Sequence, residues 1–298
     1  MRAFRYLVIF FLIAAPAASL SALRDGDLPD ASKWYFHADF EEMRSSTAGR
    51  QLYGWLQDEV FEDIREGAGV DLDKEADFLT AFATDEDGIV LIIEGDISQE
   101  TEDKVMAMAA AAASGSLDKL GSGSKTFYHV KDDDIDIDSF DDGAFFSFAV
   151  NGKLLVTSSQ ERMQALLDDK GKAQGVRGEK GDLFILRAEQ NLVQAGARTD
   201  IGDNDWDSNI LRNTKQAALL IADQAGKIAI EAQLVTSEAA MADSLASIVR
   251  GLISLQMFND DMDPEIASLL QNATVDVDDT KLTISIAVEP DVIVSVME

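Results

Sequence analysis

Turn signals of β-hairpins recur along this chain, and they constrain its fold more than any other feature. Asp-Glu-Asp-Gly at 85–88 separates the apolar runs FLTAFAT and IVLIIEG, and Asn-Gly at 151–152 separates FFSFAV and KLLVTS. Asp-Gly and Asn-Gly supply the positive φ angles that tight hairpin turns need. Turn residues at 223–226 and 278–280 lie between further pairs of apolar runs. The pattern therefore predicts four hairpins, two in each half of the chain.

Segments with helical spacing separate these hairpins. Residues 33–40 alternate as a strand, and the apolar residues of 41–66 then recur every four positions, as on one face of a helix. These residues are Leu52, Leu56, Val60 and Ile64. Further helices are predicted over 98–114 and 159–168. The second half repeats the order, with a strand at 183–188, a helical stretch from near Glu189 and a terminal helix from Pro290. Its middle helix contains the apolar stripe Met241, Leu245, Ile248, Leu252 and Leu255.

Each half is therefore predicted to be a β-α-β-β-α-β-β-α unit, an α+β fold in which helices pack on one face of an antiparallel sheet. The first repeat is assigned to 33–169 and the second to 183–298, with a Gly- and Lys-rich connector at 170–182. The matching order of elements and turns indicates an internal duplication. Two separate modules and one continuous sheet both remain open.

Three stretches of the chain carry a resemblance to a group of known sequences. They are ADFEEM near the first strand, DGIVLIIEGD in the first hairpin and DPEIASLLQNATVDVDD near the end. With the order of elements, they are similar to secreted bacterial proteins of unknown activity that contain two tandem α+β units. The resemblance spans most of the chain and implies the two-unit fold. It implies no catalytic or binding residue.

The first 22 residues have the composition of a secretory signal peptide. Arg2 and Arg5 precede the apolar run 7–15, and small residues follow it, as in a signal that is cleaved after export. We expect cleavage near Ala22, with a polar leader at 23–32. The mature protein is then expected to be periplasmic or secreted, without membrane insertion.

Composition restricts the chemistry and the partners. The chain contains no cysteine, which excludes disulfides, thiolate metal sites and a cysteine nucleophile. It has 55 Asp and Glu against 25 Lys and Arg, a net charge of −30. Such a charge repels nucleic acid, so no nucleic-acid partner is expected. An unidentified protein or a small cationic ligand is the expected partner.

The densest acidic segment, 132–142, contains alternating carboxylates that resemble calcium ligands. Its candidate ligands are Asp132, Asp134, Asp136 and Asp138. The segment fails the EF-hand pattern, because Ser139 and Phe145 stand where glycine and glutamate are needed. An exposed strand whose carboxylates discourage edge pairing is the competing interpretation. Weak Ca²⁺ binding is the one cofactor hypothesis, and otherwise none is expected.

No motif identifies an active site. The two histidines, His37 and His129, lie in separate strand candidates, and no HExxH, GxSxG or P-loop sequence is present. We therefore expect a non-enzymatic binding or interaction protein with no catalytic residues. Two alternatives stay open: an extracytoplasmic hydrolase that uses carboxylates or a divalent ion, and a structural surface protein with weak calcium binding.

Overall fold

The computed structural model describes residues 32–84, 88–112, 117–131, 143–172, 180–189, 214–256 and 269–297. These residues form antiparallel strands and helices, which confirms the predicted α+β class. They divide into two compact units. The amino-terminal unit comprises the described residues of Asp27–Glu41 and Gly54–Arg177, and the carboxy-terminal unit those of Glu42–Tyr53 and Gly178–Glu298.

Eight helices lie within the described ranges. In chain order they are α1 (Phe40–Ser45), α2 (Gly49–Leu56), α3 (Glu62–Ala68), α4 (Leu72–Glu75), α5 (Gln99–Ala112), α6 (Gln160–Asp168), α7 (Ala239–Gln256) and α8 (Pro290–Met297).

The amino-terminal unit is built on one antiparallel sheet. Its strands are β1 (Ser32–Asp39), β2 (Ala76–Thr84), β3 (Gly88–Gly95), β4 (Asp118–Leu120), β5 (Phe127–Val130), β6 (Ala144–Ser147) and β7 (Lys153–Thr157). They pair in the order β1-β2-β3-β7-β6-β5-β4. Strand β4 is an addition to the predicted elements, whereas β5 contains the strand candidate around His129, which the predicted repeat did not include.

The predicted single helix over 41–66 is wrong in detail. Between α2 and α3 the chain forms a π-helical turn, Gln57–Phe61. A π turn inserts extra residues into the helical repeat and rotates the following side chains. Leu52, which precedes the turn, is buried, and at the end of the turn Phe61 is buried in place of Val60, which is half-buried. The helix ends at Gly69, whose φ of 67° only glycine adopts readily.

Helix α6 packs against one face of the amino-terminal sheet. Met163 of α6 and Leu155 of β7 are fully buried. The guanidinium of Arg162 lies 5.8 Å from the ring centroid of Phe82 on β2. This face therefore forms the core of the unit, together with Val90.

The carboxy-terminal unit also contains antiparallel strands. Its strands are β8 (Asp182–Glu189), β9 (Thr214–Gln224), β10 (Lys227–Thr236), β11 (Thr274–Asp278) and β12 (Lys281–Val288), paired in the order β8-β9-β10-β12-β11. Helix α7 packs on β10, β11 and β12. The centre of this core is formed by Leu245, Ala246, Val275 and Leu282.

The turn between β9 and β10 holds the loop before α2 within the same unit. The Asp223 carboxylate accepts hydrogen bonds from the backbone N–H of Ala48 at 2.7 Å and of Gly226 at 2.9 Å. Burial on its own would raise the pKa of Asp223. The hydrogen bonds from Ala48, Gly226, Ser46 and Thr47 outweigh burial and hold this pKa below its ordinary value.

Candidate binding surface

Over residues 34–38, 79–83, 89–93 and 154–156, one face of the sheet formed by β1, β2, β3 and β7 carries only apolar side chains, and we call it the apolar face. Alternation along each strand places its members on the same side, and the strand register aligns them in rows. The apolar face consists of Trp34, Phe36, Ala38, Leu79, Ala81, Ala83, Ile89, Leu91, Ile93, Leu154 and Val156. Only Ala38 and Ile93 are buried, and the other nine are half-buried.

The opposite face of the same strands is closed. His37 of β1 is 3% exposed, and its Nδ1 lies 2.9 Å from Oγ1 of Thr80 on β2. The imidazole is nearly parallel to the rings of Tyr35 and Phe78, with centroids 6.3 and 6.0 Å away. His37 is therefore a hydrogen-bonded core residue. The apolar face differs from this core face in remaining partly open to solvent.

Helix α5 follows β3 and begins at a well-formed cap. The Glu75 carboxylate accepts hydrogen bonds from the N–H and hydroxyl of Ser98, at 2.9 and 2.7 Å, and from the Thr101 hydroxyl at 3.0 Å. Thr101 is the one residue of this helix that is buried. Farther along, Met106 is half-buried and Met108 is 39% exposed. Helix α5 therefore has apolar side chains that are not enclosed.

Helix α7 of the carboxy-terminal unit shows what a closed sheet face looks like in this protein. Leu245 is 3% exposed and Ala246 is fully buried where they meet Leu282, which is also fully buried. On the apolar face, by contrast, nine of the eleven apolar side chains are only half-buried. A contiguous cluster of half-buried apolar side chains, such as the apolar face, is a candidate surface for binding a ligand or a partner.

A buried carboxyl in the carboxy-terminal unit is the second candidate. Glu231 of β10 is 5% exposed, and Gln233 donates to its Oε1 at 2.5 Å. Burial raises the pKa of Glu231, while the hydrogen bond from Gln233 and the charge of Lys281 oppose that rise. Its cross-strand neighbours are Leu220 and Ser285. Two-carboxylate hydrolysis needs a second acid about 5–9 Å away, and neither neighbour supplies one.

The predicted metal ligands are not tested by this structure. Asp132, Asp134, Asp136 and Asp138 lie between β5 and β6, outside the described residues, so weak calcium binding stays a prediction. Among the residues that are described, no three His, Asp or Glu side chains are grouped to hold a metal ion.

His129, the second histidine, lies on β5 beside the acidic segment. Its ring stacks on Phe145 with centroids 4.5 Å apart, and its Nδ1 lies 4.0 Å from a carboxylate oxygen of Asp118. His37 and His129 thus occupy separate strands of the sheet, in separate aromatic surroundings. The structure does not bring them together as a histidine site.

No helix within the described ranges has the length and apolar character needed to cross a membrane.

Comparison with known proteins supports the fold and no more. No protein-family model and no curated protein matches this chain. Among solved structures, crystal form IV of TP0453 is 9% identical, with a TM-score of 0.50, over 91% of this chain and 95% of that one. Crystal form I is 9% identical, with a TM-score of 0.45, over 93% of this chain and 99% of that one. Crystal form III is 11% identical, with a TM-score of 0.44, over 94% of this chain and 100% of that one. At such identities a likeness extends to architecture alone.

Sequence reasoning did not single out the apolar face or Glu231, although each leaves a signal. The runs FLTAFAT and IVLIIEG have apolar residues at both phases of strand alternation, although Thr80, Thr84 and Glu94 interrupt one phase, which means that both sheet faces are largely apolar. Glu231 interrupts the apolar run KIAIEAQL. An acid inside such a run is a candidate for burial with a partner.

Proposed function

We propose that this protein is an extracytoplasmic, non-enzymatic binding protein that holds a small apolar molecule on the apolar face. The observation that carries the proposal is the half-burial of nine apolar side chains on four adjacent strands. Ligand sites are concave or sheltered surfaces lined mainly by apolar and aromatic side chains. Trp34 and Phe36 supply the aromatic part of this lining.

The energetics favour binding of a modest ligand. Covering about 200 Å² of apolar surface stabilises a complex by roughly 5 kcal/mol, before the cost of association is subtracted.

We also propose that the two units arose by internal duplication. The strand orders β1-β2-β3-β7-β6 and β8-β9-β10-β12-β11 place corresponding strands in corresponding positions. In each case a hairpin leads into a helix, α5 or α7. In this view α5 is the counterpart of α7, and it buries only Thr101 where α7 buries Ala242, Leu245 and Ala246.

Export is proposed from the amino-terminal sequence. Arg2 and Arg5 followed by a short apolar run support a cleaved signal. Amino-terminal sequencing of the protein from the extracytoplasmic fraction should give a chain that begins near Leu23. An intact Met1 on protein confined to the cytoplasm would contradict export.

The binding proposal is tested with a neutral fluorescent probe, N-phenyl-1-naphthylamine, which brightens in apolar surroundings. The wild type should bind it saturably, and Leu91→Asp should weaken binding at least tenfold because it places a charge in the middle of the apolar face. Leu252→Asp is the matched control, since Leu252 is 47% exposed on α7 in the other unit. This control should bind the probe like the wild type.

Circular dichroism of both variants checks that the fold is retained. Equal loss of probe binding in the Leu91 and Leu252 variants, or no effect of Leu91→Asp, would overturn the proposal. Hydrolytic turnover that disappears in Glu231→Gln would overturn it in favour of an enzyme.

A further inference from the structure

We infer that the ligand of the apolar face is a molecule with a single unbranched hydrocarbon chain and an uncharged or cationic head, lying along β2. The inference rests on the proposed binding function and adds the shape and charge of the ligand. It follows from the sizes of the side chains across the apolar face and from the charge of the chain.

A trough runs along β2 because small side chains lie between large ones. Ala81 of β2 pairs with Phe36 of β1 on one side and with Leu91 of β3 on the other. The next row along repeats this arrangement with Trp34, Ala83 and Ile89. The two alanines form the floor of the trough, and the larger residues form its walls.

The width of the trough selects its occupant. Neighbouring strands are about 4.8 Å apart, so the walls on β1 and β3 stand about 10 Å apart between backbones. The wall side chains occupy part of this width and leave room for one hydrocarbon chain. An α-helix with its side chains is about 10–12 Å across and cannot enter. A helical segment of a protein partner is therefore the less favoured occupant.

One end of the trough is closed. Leu79 occupies the floor position between Ala38 and Ile93. Ala38 is fully buried and Ile93 is 9% exposed, whereas Ala83 at the other end is half-buried. The distance from Leu79 to Ala83 is four residues of strand, about 13 Å. A chain on the order of ten carbon atoms therefore fills the trough, with its head at the Ala83 end.

The net charge of the protein restricts the charge of the ligand's head group. The trough contains no charged or polar side chain, and the chain as a whole carries a net charge of −30. The field of such a protein repels anions and concentrates cations near its surface. A carboxylate or sulfate head is therefore disfavoured, and a neutral or cationic head is favoured.

The test displaces N-phenyl-1-naphthylamine with three ten-carbon amphiphiles, each used below its micelle concentration. Decyl maltoside and decyltrimethylammonium should displace the probe at least tenfold more effectively than decyl sulfate at low salt. In the maltoside series, affinity should rise by up to about fourfold per methylene and level off near ten carbons. Equal binding of all three heads, or a rise that continues to much longer chains, would overturn the inference.

Ala81→Leu and Ala83→Leu each fill the floor of the trough, at two different positions. If one variant protein fails to fold, the other still tests the inference. Each should reduce decyl maltoside affinity at least tenfold. Ala111→Leu, the same change at an exposed position of α5, should leave affinity unchanged. If both floor variants bind decyl maltoside with the affinity of the wild type, the inference that the trough holds the hydrocarbon chain is contradicted. If Leu91→Asp still abolishes probe binding in that case, the proposed function stands and only the inference fails. If Leu91→Asp has no effect, both fail.

Discussion

Asp223 shows how a single side chain can join distant parts of the sequence. It lies 175 positions from Ala48, and its carboxylate accepts the Ala48 N–H at 2.7 Å. It also accepts the N–H of Gly226 within its own turn. One carboxylate thus shapes the β9–β10 turn and anchors the loop before α2. Charge-assisted hydrogen bonds of this type contribute more than neutral ones.

Asp223→Ala should lower the free energy of unfolding by about 1–3 kcal/mol at neutral pH, because several backbone donors lose their acceptor. Since the folded-state pKa of Asp223 is held low, its stabilisation is present above the unfolded-state pKa. That stabilisation is lost as pH falls through the folded-state pKa. Urea unfolding at pH 7 and at pH 3 measures the difference, which should shrink at the lower pH.

Asp276→Ala is the control for this prediction. Asp276 is exposed on β11, and its removal changes the net charge by the same amount. It should alter stability by less than about 0.5 kcal/mol. An Asp223 variant as stable as this control would contradict the anchoring role.

Glu231 has the opposite linkage to pH. Its pKa is raised, chiefly by burial. The folded protein is therefore more stable when this carboxyl is protonated. That stability is lost as pH rises through the folded-state pKa. Glu231→Gln keeps an oxygen that can accept from Gln233 and removes the charge. It should increase stability at pH 8 by on the order of 1 kcal/mol and have little effect at pH 4. Denaturant titrations at both values decide this, and a destabilised variant at pH 8 would contradict it.

At the scale of elements, the β9–β10 hairpin is a tight turn with one poorly suited residue. Ala225 and Gly226 both have positive φ, 55° and 86°, as a type I′ turn requires. Glycine adopts this conformation freely, whereas for alanine it costs about 1–2 kcal/mol. Ala225→Asn should therefore stabilise the protein by about 1 kcal/mol.

Thermal or urea unfolding measures the effect of Ala225→Asn. Asp279→Asn provides the comparison, because Asp279 has φ 52° and its side chain already tolerates this region. That second change should be nearly neutral. A loss of stability in Ala225→Asn would show that the turn does not control the hairpin.

The two long helices should differ in local stability. Helix α5 contains one buried residue, Thr101, whereas α7 buries Ala242, Leu245 and Ala246. Segments with few buried apolar contacts open more often. In native-state hydrogen exchange, the central amides of α7 should be at least about tenfold more protected than those of α5. Equal protection would contradict the view that α5 is loosely packed.

At the scale of the whole molecule, the conformational preferences of a few adjacent residues predict the hairpins but not the packing of the helices. Gly88 and Gly152 were predicted as turn residues, and both have positive φ, 72° and 71°. Turn chemistry is decided by a few adjacent residues, so it can be read from sequence. The π turn at Gln57–Phe61 depends on tertiary packing, which a four-residue periodicity does not contain.

The candidate site was missed for the same reason. In β2 and β3 both alternating sets of side chains are mainly apolar, so the sequence shows two largely apolar faces and cannot show which one a helix closes. Ala81 and Ala83 gain significance only when the register places them between larger residues of β1 and β3. Which of these faces is closed is a property of the folded unit.

The central claim, that the apolar face binds the ligand, is tested most directly through tryptophan fluorescence. The chain has three tryptophans, and only Trp34 belongs to the apolar face. Variants that retain Trp34 or Trp55 alone, with phenylalanine at the other two tryptophan positions, should be titrated with 2-bromodecan-1-ol, a neutral chain with a quenching bromine beside its head. Decan-1-ol is the control without bromine. We predict saturable quenching of Trp34 and none of Trp55. Quenching of Trp55 with Trp34 unaffected would contradict the account.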